Sequence, residues 1–366
     1  MYNWQLPDWP DFKYSLETVE EDLYAFAEET GHISGILKAL PENTQWEAIV
    51  STMVAEAIKT SAIEGEFLSR QDVISSIRNK LGLNTHADKV KDKRSQGAGE
   101  LMVDVRNTFA EWLTEQHLFE WHRLLMKGSK GIKAGHWRKG RAPMQVISGR
   151  PGKERVHFEA PPSAKVPAEM SRFIAWFNES GPGGSHEIKK APVRAAIAHL
   201  YFESIHPFED GNGRIGRAIA EKALSQTVGR PVLLSLSRTI EAGKAAYYAA
   251  LERSQKNNEI TPWINYFVGA VIQAQKDAGE RIDFTLKKAK FLDRYKEQLD
   301  NRRLKAVMKM LDAGPEGFKG GMTAQKYMSI TKVAKATATR DLREMVEGTV
   351  LLVAGGGRST HYVLNI

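Results

Sequence analysis

One window of twelve residues carries more reactive chemistry than any other: His206-Pro207-Phe208-Glu209-Asp210-Gly211-Asn212-Gly213-Arg214-Ile215-Gly216-Arg217. Within it His206 is the side chain that exchanges a proton near neutral pH, so it is the natural general base. Gly211 and Gly213 turn the chain without a Cβ penalty and bring bare N–H groups close to a ligand. If a helix begins near Asn212, its unpaired N–H groups and positive dipole end face an anion. Arg214 and Arg217 add bidentate, charge-assisted contacts to phosphate oxygens. Asp210 offers a hard carboxylate oxygen of the kind that holds Mg²⁺ against a pyrophosphate. These types at this spacing describe a phosphate site with a base beside it.

Three other readings compete. Gly211 to Gly216 spells G-x-G-x-x-G, but that dinucleotide motif follows a β-strand. Here the preceding residues place Val193, Ile197, Leu200 and Tyr201 at helical spacing, so a helix over Ala191 to Ile205 is expected instead. Asp210, Asn212 and Glu221 fit positions one, three and twelve of a calcium loop, yet Arg214 stands at five and Ile215 where glycine is required. A helix cap beside a core histidine accounts for single residues and gives no reason for every polar member at once.

The run resembles, at every defining position, the H-x-F-x-[D/E]-G-N-G-R-x-x-R signature of the Fic family of nucleotidyl transferases, and the chain is similar to bacterial Fic proteins with an appended winged helix. That resemblance implies a mainly α fold: a Fic-type helical core with a short β-hairpin flap, an N-terminal helical region and a C-terminal winged helix. It implies ATP as co-substrate with Mg²⁺ on Asp210, and transfer of AMP to a Ser, Thr or Tyr hydroxyl of a protein, with self-modification. His206 would take the hydroxyl proton. Gly211, Asn212, Gly213, Arg214 and Arg217 would hold the phosphates, with Asn212 steadying the α-phosphate. Tyr248 and Gln255 would line the adenine and ribose pocket.

The elements that position this run are legible by periodicity. From Trp46 to Ile63, Ile49, Met53, Ala57 and Ile58 recur at helical spacing, and Gly65 ends the helix. Glu64 thus sits at a helix C-terminus, where a carboxylate opposes the dipole and needs a cation. Thr60-Ser61-Ala62-Ile63-Glu64-Gly65 resembles the [S/T]-x-x-x-E-[G/N] inhibitory motif of autoinhibited Fic proteins, which implies that Glu64 pairs with Arg217 in cis and blocks the γ-phosphate place. Two β-rich runs, Met144 to Ile147 and Arg155 to Phe158, flank the turn Ser148-Gly149-Arg150-Pro151-Gly152 and read as a hairpin. By resemblance it is the flap, with Val146, Ile147, Val156 and His157 registering the target segment by strand addition. An ordinary surface hairpin is the alternative.

The chain is expected to divide into an N-terminal helical region (1–98, inhibitory helix about 46–65), the catalytic core (99–275), a linker helix (276–300) and a winged helix (301–366). A packing arm and an acidic helix around Leu16 to Glu29 open the first region, and the Lys-rich stretch 85–99 reads as a connector. Tyr247 to Leu251 and Trp263 to Phe267 read as aromatic helices, and Gln273 to Asp300 as one long charged helix. The tail then spells helix (Arg303 to Leu311), helix (Met322 to Met328), turn (Ser329 to Thr331), helix (Val333 to Val346) and hairpin. Its third helix offers Lys332, Lys335, Thr337, Thr339 and Arg340 to DNA, but carries Asp341, Glu344 and Glu347 too, so protein docking stands equal.

Composition adds bounds. The 366 residues suffice for two or three domains. No cysteine is present, which rules out disulfides and thiolate metal sites. No stretch reaches transmembrane length and the first ten residues lack a signal-peptide order, so a cytoplasmic chain with no membrane partner is expected. A net charge of +8 favours an anionic partner without naming it. A homodimer is expected on oligomer base rates. Two other functions stay open: another nucleotide transfer or removal of AMP at the same site with Glu64 positioning water, and a DNA-binding regulator whose core senses nucleotide.

Overall fold

The computed structural model describes every residue except Lys130, Pro151, Gly152, Glu154 and Glu316, and the backbone alone of Arg358. The chain is mainly α and divides into two compact units, Met1–His32 with Trp46–Ala278 and Ile33–Gln45 with Gly279–Ile366. The helices are α1 (Glu20–Ala39), α2 (Glu42–Ile63), α3 (Arg70–Lys80), α4 (Lys93–Asn107), α5 (Glu115–Leu125), α6 (Val166–Glu179), α7 (Ala191–Ile205), α8 (Asn212–Val228), α9 (Leu236–Ala242), α10 (Lys244–Ser254), α11 (Thr261–Tyr295), α12 (Asn301–Leu311), α13 (Ala324–Thr331) and α14 (Lys335–Glu347). The described strands form two antiparallel hairpins, β1 (Gln145–Ser148) with β2 (Arg155–Glu159), and β3 (Leu351–Ala354) with β4 (His361–Leu364).

The larger unit is built around α7. All of its residues are buried, its few polar ones included, so the helix has no solvent-facing stripe. Pro192 sits in its first turn, where a missing N–H costs nothing. α8 packs on α7, and Trp263 of α11 donates its indole N–H to the Ala196 carbonyl at 2.7 Å. The N-terminal arm is tied to the same body: Asn3 is buried, with its backbone N–H on the Gln255 carbonyl and its amide on Ser204 Oγ.

The smaller unit closes its own core over Phe291, Tyr295, Val307, Met310, Tyr327, Leu342, Met345 and Leu351. Its order is α12, α13, α14 and then the β3–β4 hairpin, beside which Met322 pairs with Tyr362. Asp341 points inward here, taking Arg302 Nε at 2.7 Å and the Tyr327 hydroxyl at 2.9 Å, so it is no part of an acidic outer face.

Four expectations are corrected. The connector expected over 85–99 ends in helix, because α4 starts at Lys93 under an Asp92 cap. Gly97 and Gly99 lie inside that helix for packing: a Cβ at Gly97 would collide with the Leu124 carbonyl, and one at Gly99 with Ser76 Oγ. The aromatic stretch 263–267 and the charged stretch after it are one helix, α11, which starts at Thr261 and ends at Tyr295. Residues 329–331 are the last turn of α13, which Lys332 ends by taking φ +61°. The acidic N-terminal helix runs on through Gly31 and Gly35 to Ala39. Among the described residues no helix is long and apolar enough to cross a membrane.

Candidate active site

The run 206–217 forms the joint between α7 and α8. His206 ends α7 in the left-handed region at φ +51°, its N–H on the Phe202 carbonyl. Few β-carbon residues adopt that conformation without support, and Arg138 supplies it. The Arg138 guanidinium donates to the carbonyls of His206 (2.7 Å), Ile205 (3.3 Å) and Pro161 (2.6 Å), and its backbone N–H to Pro207. Burial lowers the Arg138 pKa to about 10. Phe208 stacks on His122 at 4.1 Å between ring centroids and leans on Trp137. Burial pushes His122 down to about 4, so it is a neutral ring in the packing.

α8 begins at Asn212 after Gly211, whose φ is +82°. The Asn212 amide closes the turn by bonding both ways to the Phe208 backbone at 2.9 Å. Its side chain is therefore engaged in the loop, and what faces outward to an anion is the row of unpaired N–H groups of the first helical turn. Asp210 Oδ1 accepts the Gly211 N–H at 2.6 Å and Arg214 Nη2 at 3.3 Å. Its side chain is about half exposed at 47%. Among the described residues no group of three or more His, Asp or Glu forms a metal cluster. A single half-exposed carboxylate nevertheless suits Mg²⁺, which usually takes one or two protein carboxylates and shares the rest of its shell with phosphate and water.

His206 Nδ1 lies 3.7 Å from Glu203 Oε2, an ion-pair distance longer than a hydrogen bond. Glu203 is buried one turn earlier on α7. Burial works against its charge, but His206, His199 and Arg217 around it hold its pKa below the ordinary value. Sequence reasoning missed Glu203, although its position three residues before His206 on a helix was a usable signal. It also missed Glu66.

Glu64 and Glu66 follow the end of α2 and reach the two arginines of α8. Arg217 donates to Glu64 Oε1 at 2.8 Å, to Thr60 Oγ1 at 2.7 Å and to the Thr60 carbonyl at 2.9 Å. Arg214 donates to Glu66 as well as to Asp210. Both guanidiniums are almost wholly buried, at 1% and 2% exposure. Burial alone would lower the Arg217 pKa, but the adjacent Glu64 carboxylate raises it. Lys244 donates to the Ile63 carbonyl, so the last turn of α2 meets two cations, as the dipole at a helix C-terminus requires.

These parts surround one cavity of about 730 Å³. Its wall includes Glu64, His206, Asp210, Gly211, Asn212 and Gly213 on the joint side. Val146, Ile147 and His157 close it from the β1–β2 hairpin, and Tyr248 and Gln255 from α10 and its end. Arg214 and Arg217 lie behind the two glutamates. The Tyr248 hydroxyl is 3.5 Å from Glu64 Oε2, and burial raises its pKa. Gln255 donates to the Glu203 carbonyl at 3.2 Å. Val156 stays 42% exposed and Ile147 55% exposed on the hairpin. Pro151 and Gly152 of the expected turn lie outside the described residues.

Residues 112–224 match the Fic/DOC family, and residues 2–83 match a domain of unknown function, DUF4172. The chain thus carries a Fic/DOC segment. Its Fic segment begins just before α5 and closes on α8, so it contains the hairpin, α7 and the joint between α7 and α8. The chain is similar to Protein adenylyltransferase fic-1 of Caenorhabditis elegans, 27% identical over 149 residues, 41% of this chain and 25% of the relative. It is also similar to Protein adenylyltransferase Fic of Culex quinquefasciatus, 26% identical over 210 residues, 56% of this chain and 37% of the relative. The chain thus spans only a quarter to a little over a third of these curated relatives. A crystal structure of a Fic family protein from Desulfovibrio desulfuricans G20 has the same fold, with a TM-score of 0.53 at 20% identity, covering 96% of this chain and 98% of that one.

Proposed function

We propose that this chain is a protein adenylyltransferase held in check by its own α2. The observation that carries the reading is the shared seat at the start of α8. A bare helix N-terminus, a histidine base and an intruding glutamate meet there around a cavity large enough for a nucleotide. The names of the relatives support AMP as the group moved.

In the reaction ATP lies with its phosphates on the N–H groups of the Gly211-Asn212-Gly213 turn, and Arg214 and Arg217 turn to it once the glutamates leave. Asp210 would hold Mg²⁺, which when bound neutralises phosphate charge. His206 takes the proton of a protein Ser, Thr or Tyr hydroxyl on a segment paired with the hairpin. The oxygen attacks the α-phosphorus, pyrophosphate leaves, and AMP stays on the target. Glu203 faces Nδ1 of His206 and stabilises the imidazolium formed when Nε2 accepts the proton, as the third member does in nucleophile–base relays. In the resting state Glu64 occupies Arg217, where the γ-phosphate would bind, and Glu66 occupies Arg214.

The test is intact-mass measurement after incubating wild type, Glu64→Gly and His206→Ala with ATP and Mg²⁺. Adenylyl mass on Glu64→Gly, less on wild type and none on His206→Ala is the expected result. Equal labelling of wild type and Glu64→Gly would overturn the inhibition, and labelling of His206→Ala the base.

Removal of AMP is a second reading. Glu64 lines the cavity with its carboxylate 29% exposed, in a position to orient a water instead of only blocking phosphate. An adenylylated acceptor protein that loses AMP with wild type but not with Glu64→Gly would favour it. We also infer a cytoplasmic protein, acting as a homodimer, whose C-terminal unit works as a winged helix on DNA or on a protein partner. In that unit Lys332, Lys335, Thr339 and Arg340 are exposed, Thr337 is half-buried, and Lys332 precedes α14.

A further inference from the structure

The hairpin carries a second hydroxyl–base–carboxylate relay that the reaction above does not use. Ser148 Oγ lies 2.6 Å from His157 Nε2, and His157 Nδ1 lies 2.8 Å from Glu252 Oε2 on α10. All three side chains line the same cavity as His206 and the start of α8. The register explains why His157 points there. Val146 pairs with Phe158 and Ile147 with Val156, so His157 is the extra residue of a β-bulge. Bulges re-aim a side chain and recur beside active sites. Glu252 also takes Arg155 at 2.9 Å and Lys256 at 3.3 Å. The hydrogen bond from His157, with those from Arg155 and Lys256, holds its pKa down to about 2 against desolvation, so it stays a carboxylate.

The protons follow from these contacts. With Nδ1–H donated to the Glu252 carboxylate, the neutral imidazole leaves Nε2 to accept the Ser148 Oγ–H. Nucleophile, base and orienting carboxylate within hydrogen-bond reach are the constellation that activates a serine hydroxyl. The other hydroxyls on the cavity wall are poorer acceptors. Tyr247 is buried with its hydroxyl on His199 Nε2 at 2.8 Å, and Tyr248 faces the Glu64 carboxylate. Ser148 is exposed and already has a base.

We propose that Ser148 is an intramolecular acceptor of the adenylyl group, with His157 as its base and Glu252 holding that base. The proposal rests on the transferase reading and names one acceptor for it. Ser148 Oγ bonds to the α-phosphorus of ATP as the bond to the bridging oxygen breaks; pyrophosphate leaves, and the Oγ proton passes to His157 Nε2. The product is a phosphodiester-linked AMP on the hairpin, inside the cavity that made it.

The sequence makes the test direct. Trypsin cleaves after Arg141 and Lys153 and leaves Arg150–Pro151 intact, and Ser148 is the one hydroxyl residue in 142–153. Full-length Glu64→Gly protein, alone and combined with Ser148→Ala, Ser148→Thr, His157→Gln or Glu252→Gln, is incubated with ATP and Mg²⁺. Peptides are mapped by mass and pyrophosphate is assayed in parallel. Adenylyl mass on peptide 142–153 is expected in Glu64→Gly, retained with Ser148→Thr and absent with Ser148→Ala. Loss of the base should slow that label about 10²-fold in His157→Gln, and Glu252→Gln should slow it as well, while label elsewhere on the chain continues. Label only on other peptides, or pyrophosphate release with no label on the chain, overturns the proposal and leaves nucleotidyl transfer standing. No label and no pyrophosphate in any variant overturns both.

Discussion

Charged residues are used in opposite ways at the start of α8 and along α14. At α8, Arg214 and Arg217 are almost wholly buried and each is matched to a carboxylate from the end of α2. On α14, Arg340 is 64% and Arg343 80% exposed, each paired with a glutamate four residues on along its own helix. A buried guanidinium loses its hydration and is kept only where specific partners compensate it. An exposed pair contributes little and fits DNA, protein or water equally well. The first region is therefore a candidate site whose charges have fixed partners, and the second a solvated surface.

The largest test of this contrast is His206→Ala against the double change Lys335→Ala, Arg340→Ala. The first should cut adenylyl transfer about 10²–10⁴-fold, the usual range for a general base. The second should leave the transfer rate unchanged in the same assay. The reverse pattern would turn the surface into the function.

A half-buried acid gives the next effect. Burial, and then the Glu56 carboxylate, push the Glu221 pKa up to about 8, with Arg106 pulling the other way. Folded protein thus keeps a proton between pH 4.5 and 8 that the unfolded chain has lost, so this group's contribution falls as pH rises through that window. Glu221→Gln should flatten the pH–stability profile and stabilise the fold at pH 9 by about 2 kcal/mol, less than the whole shift because part of the side chain still meets solvent. Urea unfolding at pH 5, 7 and 9 reads it, and parallel profiles for the two proteins would refute it.

The two glutamates come third. Removing a charge-assisted bond to a buried arginine should free it for phosphate by about tenfold. Glu64→Gly should raise self-labelling by that order, and Glu66→Gln should raise it further in the double variant. If Glu66→Gln lowers labelling, Glu66 supports Arg214 rather than blocking it. The smallest effect belongs to α14: Arg343→Ala should change unfolding free energy by only about 0.3–0.5 kcal/mol.

The sequence carried the candidate site at the α7–α8 joint because its chemistry is local: histidine, carboxylate, glycines and arginines fall within one helix end and one helix start. It carried the helix of Glu64 for the same reason, and the motif named Arg217 as its partner. Glu66 on Arg214 is a contact between residues 148 apart, and nothing in its neighbours signals it. Glu252 is similar: it reads as one more polar residue on α10 until the bulge in β2 brings His157 to it. The two glycines of α4 show the opposite failure. Local propensity read Gly97 and Gly99 as a breakpoint, whereas close approach of Leu124 and Ser76 is what selects them. Asn212, expected on a phosphate, has its amide satisfied by the Phe208 backbone, a distinction its identity could not make.

The first turn of α8 has room for one anion at Gly213. A Cβ there would collide with Glu64 Oε1 and crowd Arg217 Nη1. The absence of a side chain is what lets the carboxylate in, and the same bare backbone is what a phosphate would need. On the proposed reading the Glu64 carboxylate and a phosphate would share this place, and a side chain at position 213 would crowd both. On that reading, a change meant to switch the protein on without disabling it belongs on the other side of the contact, at the end of α2.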